Sequence, residues 1–118
     1  MMVHVYGIPN CDTVKKSLSW LSDNEIEFEF HDFKKEAITT EKIKEWLMAS
    51  SLEKVLNKKS IAFRNLSAED QQKTALKSDA IKLMQANTNL IKRPVVEIAG
   101  TVLHGFNIEE YKKAFEKN

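Results

Sequence analysis

The chain has 118 residues, 30% of them charged and 42% hydrophobic, with a net charge of +1. That length suffices for one domain with one core and is too short for two ordinary ones. The charge balance gives no basis for a nucleic-acid or membrane-surface partner, no apolar run approaches transmembrane length, and the N-terminus lacks a basic region followed by an apolar one. A single cysteine, Cys11, excludes an internal disulfide. The reading is a cytoplasmic monomer whose thiol is free at rest.

Taken in order, Met2-Val-His-Val-Tyr6 is short and β-branched and reads as a strand. Gly7, Pro9 and Asn10 mark a turn, and Asp12 to Leu21 carry Val14, Leu18 and Leu21 at helical spacing. Asp23-Asn24 ends that helix. Glu27-Phe-Glu-Phe-His31 alternates charged and aromatic residues, the pattern of a strand with one covered face. These elements form a βαβ unit. Thr39 or Thr40 can cap a helix with Ile43, Trp46 and Leu47 on one face, and Leu52, Val55 and Leu56 give a further turn.

Residues 58–66 have no period and are expected to be mostly loop. Ser67 with Asp70 resembles a capping box. That helix is expected to close at Ala75 or Leu76, and Ser78 to cap another through Ile81, Leu83 and Met84. Pro94 to Ile98 and Thr101 to His104 read as two strands, with Ala99-Gly100 suited to a two-residue hairpin. Asn107, with Glu110 three residues on, starts the last helix, and Phe106 and Tyr111 suit a hydrophobic staple. Tyr111, Ala114 and Phe115 form the stripe that docks on the sheet.

The order β-α-β, helices, β-β-α matches an α/β thioredoxin-like fold. It has βαβ and ββα halves, a four-stranded mixed sheet and a helical insertion at about 39–87, all within a single domain spanning 1–118. Some 50 such residues rarely hold a core alone. Fold by itself does not give function.

Cys11 sits where the first strand turns into the first helix. A cysteine there faces unpaired amides and the positive end of the helix dipole, which favour the reactive thiolate and offer a seat for an oxyanion. Taken alone, a lone cysteine is as often an inert buried residue. Position 14, where a Cys-x-x-Cys would place a resolving thiol, holds valine, so an external thiol, glutathione first, must complete any exchange. Arg93-Pro94 opens a strand. In a thioredoxin-like fold a cis proline there lies beside the cysteine loop, with Arg93 offering a fork to carboxylates or oxyanions. Arg64 is a further candidate for the same cleft, and Lys15 a source of positive potential beside Cys11. Asn10, in the turn before the cysteine, is counted with the substrate-binding residues. His4, His31 and His104 lie on three strands without metal-ligand spacing, so no metal is expected.

The segments Tyr6-Gly-Ile-Pro-Asn-Cys-Asp-Thr-Val-Lys-Lys16, Phe63-Arg-Asn-Leu66, Ile91-Lys-Arg-Pro-Val-Val96 and Gly105-Phe106 together resemble the ArsC-like family along essentially the whole chain. That family holds glutaredoxin-dependent arsenate reductases and Spx-type regulators, and its small YffB-like branch is the best match. The resemblance implies Cys11 as nucleophile and Arg93 as an anion-binding arginine beside a cis Pro94. Of the three arginines that the reductases place around the oxyanion, two are replaced here, by Asn57 and Gly105. The resulting expectation is a thiol-dependent reductase with no bound cofactor. It would take a small oxyanion or thiol substrate and be restored by glutathione or glutaredoxin. The alternatives are a true arsenate reductase and, as the Spx-type resemblance implies, a non-enzymatic regulator that binds RNA polymerase.

Overall fold

The computed structural model describes residues 2–116. The chain divides into two compact units: one runs through Ala37 and resumes at Arg93, and the other is Ile38–Lys92.

The first unit holds β1 (Val3–Gly7), α1 (Asp12–Asp23), β2 (Phe28–Asp32), β3 (Val95–Ile98), β4 (Thr101–His104) and a C-terminal helix (Ile108–Phe115). Its four strands lie in the order β2-β1-β3-β4. β1 pairs parallel with β2, so that His4 lies opposite Glu29 and Tyr6 opposite His31. β1 also pairs antiparallel with β3, and β3 with β4. The alternation read in the sequence sorts the sheet's two faces. Val3, Val5, Phe28, Phe30, Val96, Ile98 and Leu103 meet Leu18 and Leu21 of α1 and Tyr111, Ala114 and Phe115 of the C-terminal helix in one core. The opposite face carries His4, Tyr6, Glu29 and His31, the residues one step out of phase.

The turns follow their residue types. Ala99 and Gly100 both adopt positive φ, 42° and 89°, which a two-residue hairpin of the primed type requires. Asn107 caps the last helix by accepting from the Glu110 amide at 3.0 Å, and the Phe106 and Tyr111 rings meet edge to face at 5.0 Å, forming the expected staple.

The second unit contains α2 (Thr40–Ala49), α3 (Leu52–Val55), α4 (Ile61–Arg64), α5 (Ala68–Lys73), α6 (Lys77–Ala86) and a 3-10 turn at Thr88–Leu90; the C-terminal helix of the first unit is therefore α7. α2 packs on α6, and Ile43, Trp46, Val55, Leu56, Ala80, Met84, Leu90 and Ile91 are buried. Two expectations need correction and one gains a detail. Residues 58–66 are mostly turn and bend, as expected, but enclose the four-residue α4, which Ser60 caps by accepting from the Phe63 amide at 3.0 Å. Ser67 caps α5 as expected, accepting from the Asp70 amide at 3.1 Å, but that helix closes at Lys73, with Thr74 as its last cap. Ser78 does not cap α6, which starts at Lys77 behind Leu76 with no side-chain cap. Among the described residues no helix is long and apolar enough to cross a membrane.

Candidate functional site

The site is built where β1 ends and α1 begins. Gly7 is part of β1 rather than of the turn, and it is there for space. A Cβ at this position would lie 2.8 Å from Val14 Cγ2 and 3.9 Å from the Pro94 Cα. A bare backbone therefore lets the first turn of α1 settle against the strand end. Pro9 and Asn10 make the turn, with Asn10 exposed, and Cys11 becomes the N-cap of α1 in extended conformation. Its carbonyl accepts the first helical bond, from the Lys15 amide at 2.9 Å.

The Cys11 side chain is half-buried and makes no cap hydrogen bond of ordinary geometry. Its electrostatic surroundings are nevertheless specific. Burial pushes the thiol pKa up, but the Val14 amide, the Arg93 guanidinium donating to the sulfur, and the Thr13 amide more than offset it. The net effect holds Cys11 below the ordinary thiol value.

Arg93 reaches the sulfur from the start of β3, and the Arg93–Pro94 peptide is cis. Hydrogen bonds then link this strand start to α1. The Gly105 amide donates to the Pro94 carbonyl at 2.8 Å, and the Tyr111 hydroxyl donates to the Gly105 carbonyl at 2.7 Å. That hydroxyl has spent its proton, so Ser17 must be the donor in its 2.8 Å contact with the Tyr111 oxygen. Tyr111 and Ser17 are both buried. Together they tie the helix that carries Cys11 to the loop that carries Pro94.

Of the residues singled out from sequence, Cys11, Arg93 and Pro94 come together. Asn10 adjoins them in the chain. Lys15 is exposed and lines a shallow depression with Lys16, Ser19, Trp20, Asp23 and Phe106, a lining that does not include Cys11. Arg64 belongs to the helical unit, where its Nη2 donates to the Lys59 carbonyl at 3.1 Å. The two replaced arginine positions have local tasks. Asn57 accepts from the Lys59 amide at 3.1 Å through Oδ1, and Gly105 holds a φ of 76°, a region that favours glycine.

Sequence reasoning missed Ser17, the Tyr111 hydroxyl and the packing role of Gly7. The one available signal was a small polar residue, Ser17, interrupting the apolar stripe of α1 between Val14 and Leu21. The histidines lie on three strands, as expected, and show no ligand spacing along the chain; parallel pairing places His4 Nδ1 2.9 Å from His31 Nε2.

A four-stranded mixed sheet with these helices and a cis proline beside the cysteine loop is a thioredoxin-like fold. Within that fold, the chain belongs to the ArsC family, whose model matches residues 6–114. The structure of the YffB protein superposes with a TM-score of 0.90 at 36% identity, covering 95% of this chain and 97% of that one. An arsenate reductase (ArsC) related protein from Brucella melitensis superposes with a TM-score of 0.76 at 37% identity, covering 99% and 97%. By sequence the chain is 40% identical to an uncharacterized protein of Haemophilus influenzae over 97% of this chain and 99% of that one. It is 27% identical to the global transcriptional regulator Spx of Enterococcus faecalis over 95% and 85%.

Proposed function

We propose that the protein is a glutathione-dependent thiol oxidoreductase in which Cys11 is the nucleophile. The observation that carries this reading is the Arg93 guanidinium donating to the sulfur of Cys11, at the N-terminus of α1, whose pKa lies below the ordinary thiol value. In the forward step the Cys11 thiolate attacks one sulfur of a disulfide such as oxidised glutathione. That S–S bond breaks, a mixed disulfide forms on Cys11, and the other half leaves as a thiolate. Arg93 holds a carboxylate of the bound thiol or an oxyanion substrate. The chain has no second cysteine. A thiolate from glutathione or glutaredoxin therefore attacks the mixed disulfide and releases Cys11. A free thiol working this way suits a reducing compartment such as the cytoplasm.

The test is intact-mass measurement after exposure to oxidised glutathione, paired with the alkylation rate of Cys11 against pH. The wild type should gain one glutathione, and Cys11→Ser none. The alkylation midpoint should fall below the ~8.5 of a free thiol and move upward in Arg93→Ala. A thiol that stays unmodified, or a midpoint at or above the ordinary value, overturns the reading.

True arsenate reduction is a narrower form of this activity, favoured by likeness to the Brucella melitensis protein. The local structural tasks of Asn57 and Gly105 weigh against it, and arsenite formation with glutathione and glutaredoxin present decides it. A second reading rests on similarity to Spx: a regulator that binds RNA polymerase without chemistry. It requires polymerase subunits to co-purify with the protein and with Cys11→Ser alike.

A further inference from the structure

On the sheet face opposite the aliphatic core, His4, Glu29 and His31 converge. Among the described residues, one donor atom from each lies within 4.8 Å of the others. The contacts are 2.9 Å between His4 Nδ1 and His31 Nε2, 3.8 Å from His4 Nδ1 to Glu29 Oε1, and 4.0 Å from His31 Nε2 to Glu29 Oε2. We propose that these three side chains bind a divalent first-row transition-metal ion, zinc or a similar one, at a site separate from Cys11.

Three features of the cluster favour this over a plain histidine pair. First, the donors stand on paired strands, with His4 opposite Glu29 and Tyr6 opposite His31, so the backbone fixes their spacing. Second, His31 is oriented from behind. Its Nδ1 lies 2.8 Å from Glu36 Oε1, and its ring stacks on Tyr6 with centroids 4.4 Å apart and planes 12° from parallel. A carboxylate on Nδ1 puts the proton there and leaves the Nε2 lone pair for a Lewis acid, the arrangement that ligating histidines commonly have. Third, the cluster is open to entry, with His31 15%, His4 33% and Glu29 57% exposed at the side chain.

Without metal, the His31 Nε2 lone pair accepts the proton that His4 carries on Nδ1. A metal ion takes that proton's place between the two nitrogens. The His4 proton moves to its own Nε2, and both rings stay neutral. Tetrahedral ligation at ~2.0–2.1 Å sets two nitrogens about 3.3 Å apart. The histidines therefore separate by a few tenths of an ångström, and the exposed Glu29 swings inward. Two imidazoles and one carboxylate form a donor set that suits zinc, cobalt, nickel or copper rather than magnesium or calcium. Three protein ligands leave a coordination position for water.

The experiment is calorimetric titration of the full-length, untagged protein with zinc chloride, with Cys11→Ser run alongside to remove the thiol as a ligand. Binding of one ion that survives in Cys11→Ser is expected, with magnesium giving none. His4→Ala and His31→Ala should each weaken affinity at least tenfold, and Glu36→Gln 10–100-fold, as loss of an orienting carboxylate does. Folding-independent support comes from the wild type, in which zinc should shift the ring-nitrogen resonances of His4 and His31 and leave those of His104 in place. The proposal is overturned by no binding, by binding lost with Cys11, or by resonance changes at His104 alone.

Discussion

In each unit of the molecule one helix start differs from the rest. In the helical unit Ile38–Lys92, Thr39, Ser51, Ser60 and Ser67 each accept a hydrogen bond from the amide three residues on; α6, behind Leu76, is the exception. In the sheet unit, α7 is capped in the same way by Asn107, but α1 begins at Cys11 with no side-chain cap bond. A side-chain cap satisfies one of the unpaired amides at a helix start. The start of α1 keeps its amides directed at a sulfur that Arg93 also faces. Of the two uncapped starts, α6 begins behind an aliphatic Leu76 and α1 behind a thiol.

The largest test of this contrast lies in the helical unit. Trp46 is fully buried, and Trp46→Ala should cost about 3–5 kcal/mol in urea unfolding. The alkylation midpoint of the folded Cys11 should stay where it is, because the groups that set it all belong to the sheet unit. A midpoint that moves would break the separation of the two roles.

Next in size is the Tyr111 link beneath the site. Burial pushes its phenol up to about 12; the Ser17 hydroxyl opposes this, and the Glu110 carboxylate adds a lesser upward push. A folded-state pKa above the unfolded one gives stability that is fully present below pH ~10 and disappears as pH rises toward 12. The loss amounts to roughly 3 kcal/mol. Urea midpoints measured across that range should fall in the wild type, and Tyr111→Phe should lack this component. An identical decline in both proteins would show that the phenol is not the group responsible.

The smallest effects bear on the caps themselves and should have opposite signs. Ser67→Ala removes a cap acceptor and should destabilise by about 1 kcal/mol. Cys11→Ser puts a favoured cap residue on α1 and should stabilise by up to about 1 kcal/mol while abolishing thiol chemistry, a trade of function against stability. If thermal unfolding shows Cys11→Ser to be the more damaging of the two, the thiol supports the fold, and the contrast between helix starts fails.

Much of the fold was legible because local rules coincide with the tertiary answer. Alternation in residues 27–31 marked the covered face of β2, Ala99-Gly100 named its hairpin, and Asn107 and Ser67 named their helix starts. The short α4 went unnamed because four residues barely complete one turn, and a cap was misplaced where a serine that suits it lies inside the first turn, as Ser78 does. Cys11, Arg93 and Pro94 were legible as a candidate site because each carries its own local signal: a helix start, a charge and a fixed backbone.

The sequence by itself determined the order of the four strands and of the two helices that pack on them, and a single thiol with no partner at position 14. Only the tertiary structure decided what surrounds that thiol. Gly7 is small because Val14 and Pro94 approach it, and Ser17 is polar because the Tyr111 hydroxyl reaches it from 94 residues away in the chain. His4 and His31, 27 residues apart, became a pair through the register of two parallel strands. Such relations lie between segments distant in sequence, and strand pairing and core packing bring them together where no local pattern could show them.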